Sequence, residues 1–260
     1  MQIAWDVNGL PVSSVLIGAG VWVMFALWWS ELAGLGVERG WRLASFGVLM
    51  ASGLVGGAVL GRVMGGGVST AGAVLGGGAV VALSLWKEQA HRARAWDVAG
   101  AAMVAGFAGL AIARVGCVGA GCDFGNVLHG DAWLIQRHAR GTPAWFDQVQ
   151  QGLIDAGAPW SLPTYPFAPV MVALFAAGAL AGWGVRRWAG GEHPALWWVG
   201  VFTLWGAALN EGARATSIVV SGPAGAPAML WIYGIAGAIT ALVALWRWRN
   251  WRRLHRMGQP

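Results

Sequence analysis

The sequence predicts an all-α integral membrane protein of about seven transmembrane helices, with a single outer-side head loop between the fourth and fifth. Three observations predict this class. Of the 260 residues, 57% are hydrophobic and 11% are charged, where a soluble domain carries roughly 25% charged residues. That leaves too little polar surface to keep the chain in water. The apolar stretches, rich in Val, Ala, Leu and Gly, reach the roughly 20 residues that a helix needs to cross hydrocarbon. They do not alternate apolar and polar residues over ~10-residue segments, as the strands of a membrane barrel would. Finally, the chain holds 42 Gly. Small residues of this kind let membrane helices approach closely where no hydrophobic effect drives their pairing.

The candidate spans, in order, are residues 12–29, 43–60, 65–86, 98–113, 166–185, 195–209 and 224–246. The first is expected to remain as a helix, because no charged segment precedes it and the first basic residue is Arg39. The third is broken by Gly65–Gly67 and Gly76–Gly78, which read first as helix-packing residues, and it is partly re-entrant in an alternative reading. The sixth is short and leads into Asn210, Glu211 and Arg214. No clean tandem repeat is evident, and residues 1–260 read as one transmembrane domain that includes a head loop at 116–164.

Seven spans place the two ends on opposite sides, and basic residues set the direction. Arg39, Arg42, Lys87, Arg92, Arg94, Arg186, Arg187, Arg247, Arg249, Arg252, Arg253 and Arg256 share one set of alternate loops, 12 of the 17 Lys and Arg. Arg62, Arg114, Arg137, Arg140 and Arg214 fall on the other side. The N-terminus is therefore expected outside and the C-terminus in the cytoplasm. Of the 19 Trp, those at 28, 29, 41, 86, 96, 183, 188, 197, 198, 246, 248 and 251 gather at the expected cytoplasmic boundary, where indoles favour the headgroup level. The net charge of +6 follows this orientation pattern, and no basic stripe marks a nucleic-acid partner.

The outer-side arginines are the most informative candidates. Arg62, Arg114 and Arg214 close spans that run outward, so three cations approach one interface level. The guanidinium fork matches a phosphate or carboxylate, and an ionisable group near membrane depth is a functional candidate by default. Alternatively, each side chain snorkels to water. Glu211 and Arg214, three apart, share a helix face as an ion pair or as a proton-handling group beside a cation. The head loop is long, as functional loops are. It holds Cys117, Cys122, Asp123, His129, Asp131, Arg137, His138, Arg140, Asp147 and Asp155, with turn signals at Gly141-Thr142-Pro143 and Gly157-Ala158-Pro159. His129 beside Asp131 is the better acid–base candidate. Cys117 and Cys122 lie five apart, beside Arg114, and read as a disulfide, as buried thiols or as thiol chemistry. Their spacing fits no standard metal pattern, so neither metal nor cofactor is expected. The sequence carries no phosphate-binding loop with Lys, no Gly-x-Ser-x-Gly elbow and no His-Glu-x-x-His.

The stretch Ala113-Arg114-Val115-Gly116-Cys117, leading to Gly121-Cys122-Asp123-Phe124-Gly125, resembles the signature of bacterial prolipoprotein diacylglyceryl transferases. It is closest to divergent members with an Arg-x-Gly-Cys…Gly-Cys signature. Gly66-Gly67-Val68-Ser69-Thr70-Ala71-Gly72, Trp96-Asp97, Tyr165-Pro166, and Trp205-Gly206 through Glu211-x-x-Arg214 are similar to further family segments, in the family's order. The resemblance implies a seven-helix inner-membrane protein with a periplasmic head and an outside N-terminus. It also implies transfer of a diacylglyceryl group from phosphatidylglycerol to the lipobox cysteine thiol of a preprolipoprotein. Arg114 falls at the headgroup-binding arginine, and Glu211 and Arg214 fall at the sixth-helix motif.

The expected catalytic set is thus Arg114, Glu211, Arg214 and His129, with Arg62, Gly116, Cys117, Cys122 and Asp123 lining the substrate site. Several family polar groups are replaced. Ala71 and Tyr165 stand at histidines, Ala168 at a glutamine, Ala207 at an arginine, and Cys117 and Cys122 at the signature Asn and Glu. These replacements motivate two alternatives: an altered paralogue that binds lipid or lipoprotein as an accessory factor, and outer-face thiol chemistry.

Overall fold

The computed structural model describes residues 6–7, 10–63, 76, 95–128, 135–189, 193–213 and 225–256. Six long helices carry the fold: α1 (Val12–Gly34), α2 (Arg39–Val63), α3 (Ala95–Ala120), α5 (Phe167–Ala189), α6 (Ala195–Glu211) and α7 (Gly225–Arg256). A short helix, α4 (Pro143–Gln150), lies in the loop after α3, and β1 (Asp6–Val7) pairs antiparallel with β2 (Leu10–Pro11) ahead of α1. Among the described residues, five helices are long and apolar enough to cross a membrane. With 17 residues, α6 stands at the short end of the spanning range. The chain thus has an all-helical fold of the kind a multi-pass membrane protein adopts. The expected third span, apart from Gly76, lies outside the described residues.

The helices overrun the predicted spans because hydropathy marks only the hydrocarbon part. Backbone hydrogen bonding continues through polar ends such as Glu31, Arg39 and Arg247. One consequence bears on the site: α3 runs on through Gly116 to Ala120, so the head begins at Gly121 rather than at 116. Gly116 stays helical where it packs against α1, and a Cβ there would meet Ser13 Cα at 3.0 Å.

Glycine sets how the helices cross. A Cβ on Gly109 of α3 would meet Gly20 O of α1 at 2.9 Å. Gly116 lies at Ser13 at one end of this crossing. At the other end, Arg186 of α5 reaches both Glu31 at the end of α1 and the carbonyl of Asp97 at the start of α3. Hence α1 and α3 are antiparallel along their full length. α5 returns beside α3, with Phe107 and Phe175 stacked at 5.9 Å and a Gly182 Cβ destined to meet Val104 at 2.8 Å. α6 packs back along α5, with Gly206 against Leu174 and Gly178 against Thr203. α7 runs antiparallel to α6, with Gly200 facing Thr240 and Trp197 and Val201 packed around Ala244. α2 leans on α1 through Phe25 and Phe46, at 4.8 Å, and through Arg42 over the Trp29 ring, at 4.2 Å.

The flanks of the described helices expose large apolar side chains. Trp22, Leu54, Leu180, Phe202, Leu209, Trp231 and Leu242 are all more than 60% exposed. A face of that composition suits lipid rather than water. At one end of the bundle Trp96 packs on Trp197 and Trp246, and Trp248 stacks on Trp251. The head lies at the opposite end, between the close of α3 and the opening of α5.

Candidate functional site

Arg114 sits in α3 two turns before its end, and its side chain is buried, with the residue 7% exposed. That burial rules out snorkelling to water. The guanidinium Nη1 pairs with the carboxylate Oδ2 of Asp123, which is 6% exposed. Two nearby features favour a cation there. The C-terminal end of α3 is the negative end of the helix dipole. In addition, the chain reverses at Gly121, which has φ +63° and donates its N–H to Cys117 O at 2.9 Å. This is a glycine helix stop. A side chain at 121 would collide with His138 Nδ1 at 2.9 Å and Thr142 Cβ at 3.0 Å. The reversal carries Cys122 and Asp123 back over the last turn of α3. Cys117 and Cys122 are both thiols and half-buried. A hydrogen bond with Cys117 and burial push the Cys122 thiol above its ordinary range.

The head is tied to the bundle by backbone and side-chain bonds that converge on this end. Gly125 N donates to Tyr165 O and Tyr165 N donates to Asn126 O, at 3.2 and 2.9 Å. Asn126 N donates to Ala213 O at 3.0 Å, which brings the segment just beyond Asp123 to the end of α6. Tyr165 Oη then donates to Asn210 Oδ1 at 2.9 Å, and Asn210 Nδ2 donates to Phe167 O at 3.2 Å. Glu211 follows directly and is 2% exposed at the last residue of α6. An acid buried at a helix C-terminus faces the unfavourable end of the dipole.

Inside the head, Pro143 opens α4 and Thr142 Oγ1 caps it by accepting from Trp145 N at 3.4 Å, as the Gly-Thr-Pro signal leads one to expect. His138 is buried, with its N–H donating to Ser161 Oγ at 2.9 Å and its Nε2 at 3.2 Å from Thr164 Oγ1. Burial pulls its pKa down to about 4, so the ring is neutral at pH 7. It is a structural histidine of the head. Between residues 124–127 and α4 lies a cavity of about 190 Å³, lined on its polar side by Asn126, Asp147, Gln148 and Gln151. It is too small for a diacyl chain.

The structure therefore brings Arg114, Cys117, Cys122 and Asp123 together, with Gly116 at the α1 contact and Glu211 on the same end of the bundle. Arg62 is exposed in the last turn of α2. His129, Asp131 and Arg214 lie outside the described residues. Among the described residues no group of three His, Cys, Asp or Glu is placed to hold a metal. Sequence reading missed the partnership of Arg114 with Asp123. The signal was available, since Asp123 is the first acid after Arg114. It also missed Asn210 and Tyr165 as a clasp, because nothing in the sequence aligns residues 45 apart. No family model, curated protein or solved structure matches the chain.

Proposed function

We propose that the chain is a membrane transferase of the diacylglyceryl transferase type, moving a diacylglyceryl group from phosphatidylglycerol to a lipobox cysteine thiol. The observation that carries this reading is the buried Arg114–Asp123 pair under a folded head, with the buried acid Glu211 at the same end of the bundle. Asp123 holds one nitrogen of the guanidinium fork and leaves other donors for a phosphate oxygen. A phosphoglycerol headgroup docked there presents its phosphate as the leaving group, and the cation stabilises the charge that develops on it. The acceptor thiol loses its proton to a base, Glu211 or His129. Its sulfur bonds to the terminal glyceryl carbon of the diacylglyceryl group as the bond from that carbon to the phosphate oxygen breaks, and glycerol phosphate departs. Arg214, three residues after Glu211, is a second cation for the same headgroup, and Arg62 a third at the rim.

The finer topology belongs to the same proposal: seven spans in a bacterial inner membrane, the N-terminus and head outside, the C-terminus in the cytoplasm. The basic residues of the sequence favour that direction. The end points favour the count. α2 runs antiparallel to α1, through Arg42 at Trp29 and Phe46 at Phe25, so Val63 is at the head end. Ala95 is at the other end, with Asp97 at Arg186. The seventh span in this reading is the apolar stretch 65–86 of the sequence.

A second reading is favoured by one observation. Ala168 and Ala207, which stand where the resembling family carries polar groups, are both fully buried, and Ala207 lies in the core around Phe167, Met171 and Phe175. An accessory protein that binds lipid or lipoprotein without turnover has no need of those groups. Lipid retention separates the outcomes. Arg114→Ala should lose both bound phosphatidylglycerol, read by native mass spectrometry, and transfer to a lipobox peptide. Loss of binding in the variant, with no transfer by the wild-type protein, supports the accessory reading. Unchanged binding contradicts both.

A further inference from the structure

We propose that Cys117 and Cys122 form a reversible dithiol–disulfide site that staples the segment carrying Asp123 to the helix carrying Arg114. Cys117 occupies the last turn of α3, and the left-handed Gly121 turns the chain so that the Cys122 thiol returns to hydrogen-bond contact with it. Arg114 is one turn before Cys117 on α3, and Asp123 directly follows Cys122. The thiol contact and the ion pair are thus two parallel ties across one reversal. Both cysteines are half-buried, so a small reagent reaches them. The guanidinium beside them lends the positive field that favours a thiolate.

The chemistry is thiol–disulfide exchange, with a small or protein disulfide as oxidant. Cys117, as thiolate, attacks one sulfur of the oxidant and releases its partner as a thiol. Cys122 then attacks the Cys117 sulfur and releases the second thiol. Two S–H bonds are replaced by one S–S bond, and the oxidant gains two electrons and two protons. The raised Cys122 thiol fits this order. The hydrogen bond and the negative charge of Cys117, which help to raise it, disappear once Cys117 is capped. The oxidising environment in the cell rests on the outward orientation proposed above, but the test does not.

The full chain, purified in detergent and reduced, is equilibrated with graded ratios of oxidised to reduced glutathione, then alkylated and digested with trypsin. Residues 115–137 form one peptide that holds both cysteines. The expected result is loss of both thiols in a single step to an internal disulfide, two hydrogens lighter, reversed by dithiothreitol. The thermal midpoint should rise on oxidation by roughly 5 °C. Cys122→Ser should stall at a glutathione adduct on Cys117, and Cys117→Ser, which lacks the other thiol, should stop at an adduct on Cys122; neither should form the internal disulfide. Retention of both thiols in the native chain, at a ratio that oxidises the urea-unfolded chain, would overturn the proposal. A disulfide that leaves the midpoint unchanged would overturn the stapling. Neither lipid nor acceptor peptide takes part, so failure here is distinct from failure of the transferase reading. Orientation is read separately, by labelling of a cysteine introduced at exposed Arg137 in spheroplasts with an impermeant maleimide.

Discussion

At the residue scale, the site is a trade between two buried charges and one turn. Burying Arg114 and Asp123 together is tolerable because each neutralises the other; removing one strands its partner. Asp123→Ala should therefore destabilise the protein by about 3 kcal/mol, read by thermal unfolding in detergent, while Arg114→Met with Asp123→Leu should recover most of that loss without recovering headgroup binding. If the double variant is as unstable as the single one, the pair is not the reason for the loss. His138 gives a separate check with a definite sign. Its folded pKa, about 4, lies below the ordinary 6.5. Stability from keeping the ring neutral is full above pH 6.5 and declines as pH falls from 6.5 toward 4, because the unfolded chain binds the proton first. The thermal midpoint should fall across that window, and His138→Gln, neutral throughout, should flatten the profile. An equal slope in the variant would assign the acid sensitivity to other groups.

At the scale of elements, close approach and interhelical polar ties hold the fold, since hydrophobic burial drives little between helices in lipid. Gly20→Leu should separate α1 from α3 and lower the thermal midpoint, whereas Leu at exposed Gly18, where a Cβ meets nothing within 4 Å, should change it little. At the opposite end, Arg186 binds Glu31 at 2.6 Å and the Asp97 carbonyl at 3.0 Å, joining α1, α3 and α5. Glu31→Gln should loosen that end while leaving lipid binding at the head intact; loss of lipid binding as well would mean that the two ends are coupled. These elements were legible in the sequence to different degrees. Six of the long helices were readable because hydropathy over ~20 residues is a one-dimensional signal. The overrun of α3 to Ala120 was not, because Gly116 and Gly119 look like loop residues until Ser13 is seen against Gly116. Arg114 and Glu211 were readable as charges at apolar borders. The Asp123 partnership was within reach, since Asp123 is the first acid after Arg114, but the Tyr165–Asn210 clasp and the Arg186 cluster depend on which helices meet, and nothing in a single sequence states that.

At the scale of the whole molecule, the structure has two unlike ends. One is rich in Trp and basic side chains, and the other carries a folded head with a buried cation and a buried acid beneath it. The apolar flanks between them suit lipid. The most direct measurement is the mass of a lipobox cysteine peptide incubated with the purified chain in phosphatidylglycerol-containing detergent. The expected result is a gain equal to one diacylglyceryl group, lost in Arg114→Ala and Glu211→Ala. A peptide mass that stays unchanged with folded wild-type protein that retains phosphatidylglycerol would contradict transfer and leave lipid binding alone as the activity.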